Sequence, residues 1–193
     1  MDYNQTQLFV EGLLKTRLSP ELYYHSFEHT FDVLNAALEL AQDEHVTGDD
    51  LMLLKTAALL HDCGFVNAYH NHEEEGVKIA QSILPTFGYN DGQIEIICGM
   101  ILKTKFHAKP ETLLQKILCD ADLDYLGRDD YNTISAKLYM EWKALGKMQN
   151  NHEWHIAQIN FLQEHVYYTA AARNKRNVKK AQLLEKLKGM AAL

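Results

Sequence analysis

The sequence predicts an all-α fold, and three observations carry that expectation. Only 3 prolines occur in 193 residues, apolar residues recur at intervals of three and four, and hardly any run alternates like a strand. The chain is 47% hydrophobic and the length of one domain, large enough to bury roughly two-thirds of its unfolded surface. It carries no internal repeat, low-complexity segment or linker, so a single compact, non-repeating helical bundle is expected over residues 1–193.

From Ser26, a natural N-cap, the apolar residues Val33, Leu34, Ala37, Leu38 and Ala41 recur at helical spacing. His29 shares the row of Val33, Ala37 and Leu40 and therefore faces inward. A helix over about 49–62 follows, in which Leu51, Leu54 and Ala58 lead to His61, with Gly64 as its stop. Residues 72–84 predict another helix, ended by Pro85 and Gly88, and residues 91–104 one with Ile94, Ile97 and Ile101 on one face. Pro110 is placed as the first residue of the next, with Glu111 in its first turn. Leu114, Leu118, Asp122 and Tyr125 form its apolar stripe, while Asp120 lies about 200° away from Asp122. Segments 130–145 and 153–190 complete the helices. The basic run Arg173, Lys175, Arg176, Lys179 and Lys180 reads as a solvated face.

Polar groups on apolar stripes are the informative anomaly, because a buried charge without a partner is costly. They are His29 in Tyr24-His25-Ser26-Phe27-Glu28-His29-Thr30, the adjacent pair His61-Asp62 at the foot of an apolar helix, and Asp122 in Cys119-Asp120-Ala121-Asp122-Leu123. Two imidazoles and two carboxylates suit Mn, Fe, Co, Ni, Zn or Mg. The order, one His, then His-Asp, then a distant Asp on separate helices, resembles the HD-domain superfamily of metal-dependent phosphohydrolases. The resemblance spans about 24–126, with helices over about 130–190 packed on that core. It implies an HD-type helical bundle, His29, His61, Asp62 and Asp122 as metal ligands, and Asp62 at the catalytic centre. It further implies an ion-bound hydroxide as the nucleophile toward a small phosphorylated substrate, most plausibly a nucleotide. Phosphodiesterases of the wider superfamily have a histidine four before the metal histidine that protonates the leaving oxygen, and His25 stands there.

Further groups are candidates around the ion. His72, with Gly76 one turn on, resembles a His-x-x-x-Gly element that serves a second metal in some relatives. A binuclear site would need one more histidine, for which His107 is available, although Thr104 matches that position as well, so one ion per chain is the expected count. Lys103, Lys105 and Arg128 are the cations near enough in sequence to meet phosphate. Two other readings remain: a di-iron oxygenase on the same scaffold, which would require His72 and His107, and a non-catalytic domain that senses a nucleotide.

A formal charge of −7 excludes general electrostatic capture of nucleic acid or anionic membrane. Cys63, Cys98 and Cys119 are unpatterned and read as reduced thiols in a cytoplasmic protein. The N-terminus lacks the basic and apolar regions of a signal peptide, and no apolar run is long enough to span a bilayer. The C-terminal helices could supply a homodimer face or pack on the core.

Overall fold

Short polar side chains set most of the helix boundaries in the computed structural model, which describes residues 1–191. Asp2 accepts from the backbone N–H of Gln5 at the head of α1 (Tyr3–Arg17), and Ser26 accepts from that of His29 at the head of α2 (Phe27–Asp43). α3 (Gly48–Leu60) and α4 (His72–Ile83) open on acidic turns, Asp49 and Asp50 in one and Glu73, Glu74 and Glu75 in the other, which favour the positive helix end. Reciprocal capping boxes start α5 (Asp91–Lys103), through Asn90 and Gln93, and α6 (Leu113–Asp122), through Thr112 and Gln115. α7 (Tyr131–Ala144), α8 (Asn151–Glu164) and α9 (Ala170–Ala191) complete an all-helical fold, with no strand among the described residues.

α3 is the centre of the bundle, packed against α1, α2, α5 and α6. Every residue from Thr56 to Leu60 is fully buried. A helix whose last turns are buried on every side belongs in the interior of the bundle rather than at its edge. α2 and α6 flank it, and the three helices bring their chemistry-bearing residues to one end of the bundle.

Five points depart from expectation. α1 was not anticipated. Its buried positions Tyr3, Thr6, Val10 and Leu14 include a polar residue and a large aromatic, which weakens the apolar pattern. Pro110 does not open α6; it is buried two residues ahead of the Thr112 cap. Gly64 does not end α3 but sits in a 3-10 turn, Cys63–Val66, pressed against the head of α4. A Cβ at Gly64 would meet the His72 carbonyl oxygen at 1.8 Å, so only glycine allows this approach. Gly76 faces the same junction from α4, but there an added Cβ would meet the Leu60 carbonyl oxygen only at 3.4 Å, an ordinary contact.

The segment expected as one helix over 153–190 is two, α8 and α9. Buried Asp120 explains the break: it accepts from the backbone N–H groups of Tyr168 (2.8 Å) and Thr169 (2.7 Å) and from the Thr169 hydroxyl (2.7 Å). Thr169 then accepts from Ala172 N–H and caps α9. The basic run of α9 is likewise not a free solvated face. Arg176 makes a bidentate pair with buried Asp124 (2.7 and 3.0 Å), Lys175 pairs with Glu39 and Asp43, and Lys179 with Asp129. All three cysteines are free thiols. No described helix is long and apolar enough to cross a membrane.

Candidate metal centre and cavity

α3 stops at Leu60, and the following turn releases His61 and Asp62 at the inner end of the bundle. His61 is fully buried, and its Nδ1–H donates to the Ala58 carbonyl at 2.8 Å. That bond fixes the ring and turns the Nε2 lone pair toward Asp62, the arrangement that metal-ligating histidines adopt. His29 of α2 and Asp122 of α6 close the group: His29 Nε2 lies 3.2 Å from Asp122 Oδ1 and 3.5 Å from Asp62 Oδ2. One ligand atom from each of His29, His61 and Asp122 falls within 4.8 Å of the others.

His29 Nε2 and Asp122 Oδ1 are bonded to each other, but two other atoms of the cluster lack partners. His61 Nε2 and Asp62 Oδ2 are buried without a hydrogen bond, 3.3 Å apart but not aligned for one. Leaving such atoms unsatisfied is expensive. A divalent cation would satisfy both, and a neutral-imidazole and carboxylate set is the right chemistry for it. Burial opposes charge on Asp62 and Asp122, yet the adjacent histidines outweigh it and hold both carboxyls well below the usual range. Burial also opposes an imidazolium at His61, and the same two carboxylates override it and raise that pKa well above normal. The cluster thus demands positive charge, which a proton or an ion can supply.

A cavity of about 660 Å³ opens from Asp62 and Asp122. His25 lines it, its ring stacked on Phe65 at 4.2 Å and centred 6.1 Å from His29. His72 lines it as well, also stacked on Phe65, at 3.8 Å, with Nε2 3.6 Å from Asp62 Oδ1 and 3.5 Å from buried Glu73. Lys105 reaches the cavity but pairs with Glu74 at 2.6 Å.

Three expected groups lie elsewhere. His107 is exposed, held at φ 67° against the Phe106 ring, and is not among the residues that line the cavity. Lys103 pairs with Glu111 at 2.9 Å and lines, with His107, a smaller hollow beyond Asp122. Arg128 is taken up by Asp32 and Asp130, with Asp124 at 3.6 Å, and is not among the residues that line the cavity.

Sequence reasoning missed the opposite wall. α7 and α8 contribute Trp142, Trp154 and Phe161, and Lys147 lies 3.7 Å above the Tyr69 ring. It also missed Glu141, fully buried on α7 and bonded to Tyr24, His25 and Tyr69. A signal was present, since Ile134, Leu138, Glu141 and Leu145 form one helical stripe interrupted by a carboxylate.

The family model described as HD domain matches residues 26–124, just over half of the chain. A protein of Clostridium beijerinckii described as uncharacterized is 36% identical over 81 residues, 40% of this chain, and the aligned region spans 51% of that relative's length. A crystal structure described as a predicted HD superfamily hydrolase from an uncultured Thermotogales bacterium superposes with a TM-score of 0.64 at 24% identity, covering 98% of this chain and 91% of that one.

Proposed function

The chain belongs to the HD-domain family, and from that premise we propose that it is a metal-dependent phosphohydrolase acting on a small phosphorylated molecule, of which a nucleotide is the favoured class. His29, His61, Asp62 and Asp122 would hold one divalent ion, drawn from Mn, Fe, Co, Ni, Zn or Mg. The carrying observation is the unpartnered pair, His61 Nε2 and Asp62 Oδ2, buried beside His29 and Asp122 at the cavity floor. A bound divalent ion makes water a better nucleophile at neutral pH and offsets charge developing on phosphoryl oxygen.

The remaining work falls to the chain's own groups. Ala58 holds the His61 ring in one tautomer. Cavity-lining Lys105 and Lys147 provide positive charge for a phosphate, and Trp142, Trp154 and Phe161 provide flat apolar faces for a planar organic group such as a base. Stacking of that kind contributes about 1–3 kcal/mol per base. The description of the solved Thermotogales relative as a predicted hydrolase supports the same reading. The exposed placement of His107 argues against the di-iron oxygenase, which needs that ligand.

The test is elemental analysis of protein purified without chelator, beside Asp62→Ala, followed by a phosphate-release screen over nucleoside mono-, di- and cyclic phosphates. About one metal per chain, lost in the variant, together with turnover of a phosphoester, is expected. Metal without turnover of any phosphoester would move the assignment to a sensor domain.

A further inference from the structure

Glu141 lies on α7, outside the span matched by the family model, yet it is tied to the edge of the metal cluster. Four donors fill its two oxygens. Oε2 accepts from the backbone N–H groups of Tyr24 (2.9 Å) and His25 (3.0 Å); Oε1 accepts from the Tyr69 hydroxyl (3.1 Å) and lies 2.5 Å from His25 Nδ1. An ionised carboxylate can only accept, so the proton of the last contact sits on Nδ1. The other ring nitrogen, Nε2, is then the one available for proton exchange in the cavity that His25 lines. Stacking on Phe65 and edge contact with Tyr24 at 4.7 Å hold the plane of the ring, and the carboxylate fixes its rotation.

We propose that Glu141 is a positioning residue for hydrolysis: by accepting Nδ1–H it orients His25 so that Nε2 delivers a proton to the leaving-group oxygen. The inference rests on the phosphohydrolase reading. In the step, the bond from phosphorus to the leaving oxygen breaks and its electron pair stays on that oxygen, which takes the Nε2 proton and departs as an alcohol. The attacking water forms the new phosphorus–oxygen bond, and the proton it releases restores the imidazolium. Glu141 stays ionised throughout, compensating the charge on the ring, as the orienting acid of a histidine-based pair does.

A merely structural tie of α7 to Tyr24 would use the same bonds, so the test needs a readout that tie would not move. Glu141→Gln keeps the size. Its amide oxygen satisfies the two backbone N–H groups, and its NH2 group meets Nδ1, which must then accept. Imidazole ¹⁵N–¹H spectra should show Nδ1 of His25 protonated in the wild type in both the neutral ring and the imidazolium, whereas the neutral ring in E141Q should carry its single proton on Nε2 and lack one on Nδ1. Loss of activity should depend on the leaving group: about 100-fold or more on a nucleoside 5′-monophosphate, whose alkoxide needs the proton, and under about tenfold on p-nitrophenyl phosphate, whose phenolate does not. The double variant with His25→Gln should lose no more than H25Q alone.

Equal losses on both esters with an unchanged tautomer would overturn the role of Glu141 alone. A wild type inert toward both overturns the phosphohydrolase reading, and this proposal with it. Should E141Q fail to fold, H25Q reads the same leaving-group contrast with Glu141 in place, and the wild-type spectrum still reports whether Nδ1 carries the proton.

Discussion

Asp120 and Asp122 stand two residues apart on α6 and face opposite sides of it: Asp120 holds the Tyr168–Thr169 corner, and Asp122 reaches His29. The two carboxylates therefore separate structure from chemistry. Asp120→Ala should leave the N–H groups of Tyr168 and Thr169 without their acceptor and cost roughly 1–3 kcal/mol in denaturant unfolding, with metal content unchanged. Asp122→Ala should lose bound metal and, compared in the presence of chelator, unfold close to the wild type.

Metal uptake should be coupled to protons. With its pKa raised above the usual range by Asp62 and Asp122, His61 without an ion keeps its Nε2 proton to higher pH than a free imidazole does. An ion must displace that proton to use the lone pair. Apparent affinity should accordingly rise with pH and level off only above the raised pKa. Calorimetric titration in two buffers of different ionisation enthalpy should report about one proton released per ion. A heat that is independent of buffer would contradict this account.

His72 and His107 should behave differently in elemental analysis. His107→Ala should leave metal content and activity unchanged, because the residue is exposed and apart from the cluster. His72→Ala, whose ring stands 3.6 Å from Asp62, should reduce turnover while leaving the first ion bound. A halved iron content in both variants would revive the oxygenase.

Gly64→Ala should be among the costliest single substitutions outside the ligands. The added Cβ would collide with the backbone of His72, not with a movable side chain. α4 must then shift, at a cost of about 3 kcal/mol or more, and His72 and Glu73 move with it. A thermal melt and the activity of the surviving fold would both report the change.

Arg176→Met should destabilise the C-terminal half by about 3 kcal/mol, since it removes both hydrogen bonds to Asp124, a carboxylate 2% exposed, and leaves it only Arg128 at 3.6 Å. Asp124→Asn combined with Arg176→Met should recover part of the loss, because the buried charge is gone. Hydrogen exchange along α9 would show whether the loss is local.

Helix class and the candidate cluster were legible because both are written in one pattern. His29, His61 and Asp122 are polar residues at positions where an apolar stripe predicts none, and a residue's row on a helix is fixed by spacing. The opposite directions of Asp120 and Asp122 followed from the same geometry. What spacing leaves unstated is the partner. Arg128 and Lys103 looked free until the fold brought Asp32 and Glu111 to them. Glu141 broke its stripe visibly, yet its meaning depended on Tyr24 and His25, more than a hundred residues away. Nor does spacing foretell that His107 stands exposed on a left-handed backbone.

The cluster hangs on α2, α3 and α6, whereas the aromatic wall hangs on α7 and α8. For the protein engineer this makes the wall an exchangeable fitting. A library randomised at Trp142, Trp154, Ala157 and Phe161, with Glu141 held fixed, touches none of the bonds that orient His61 or His29. Selecting it against a panel of esters should redirect substrate preference at constant metal occupancy, which a one-piece site would not permit.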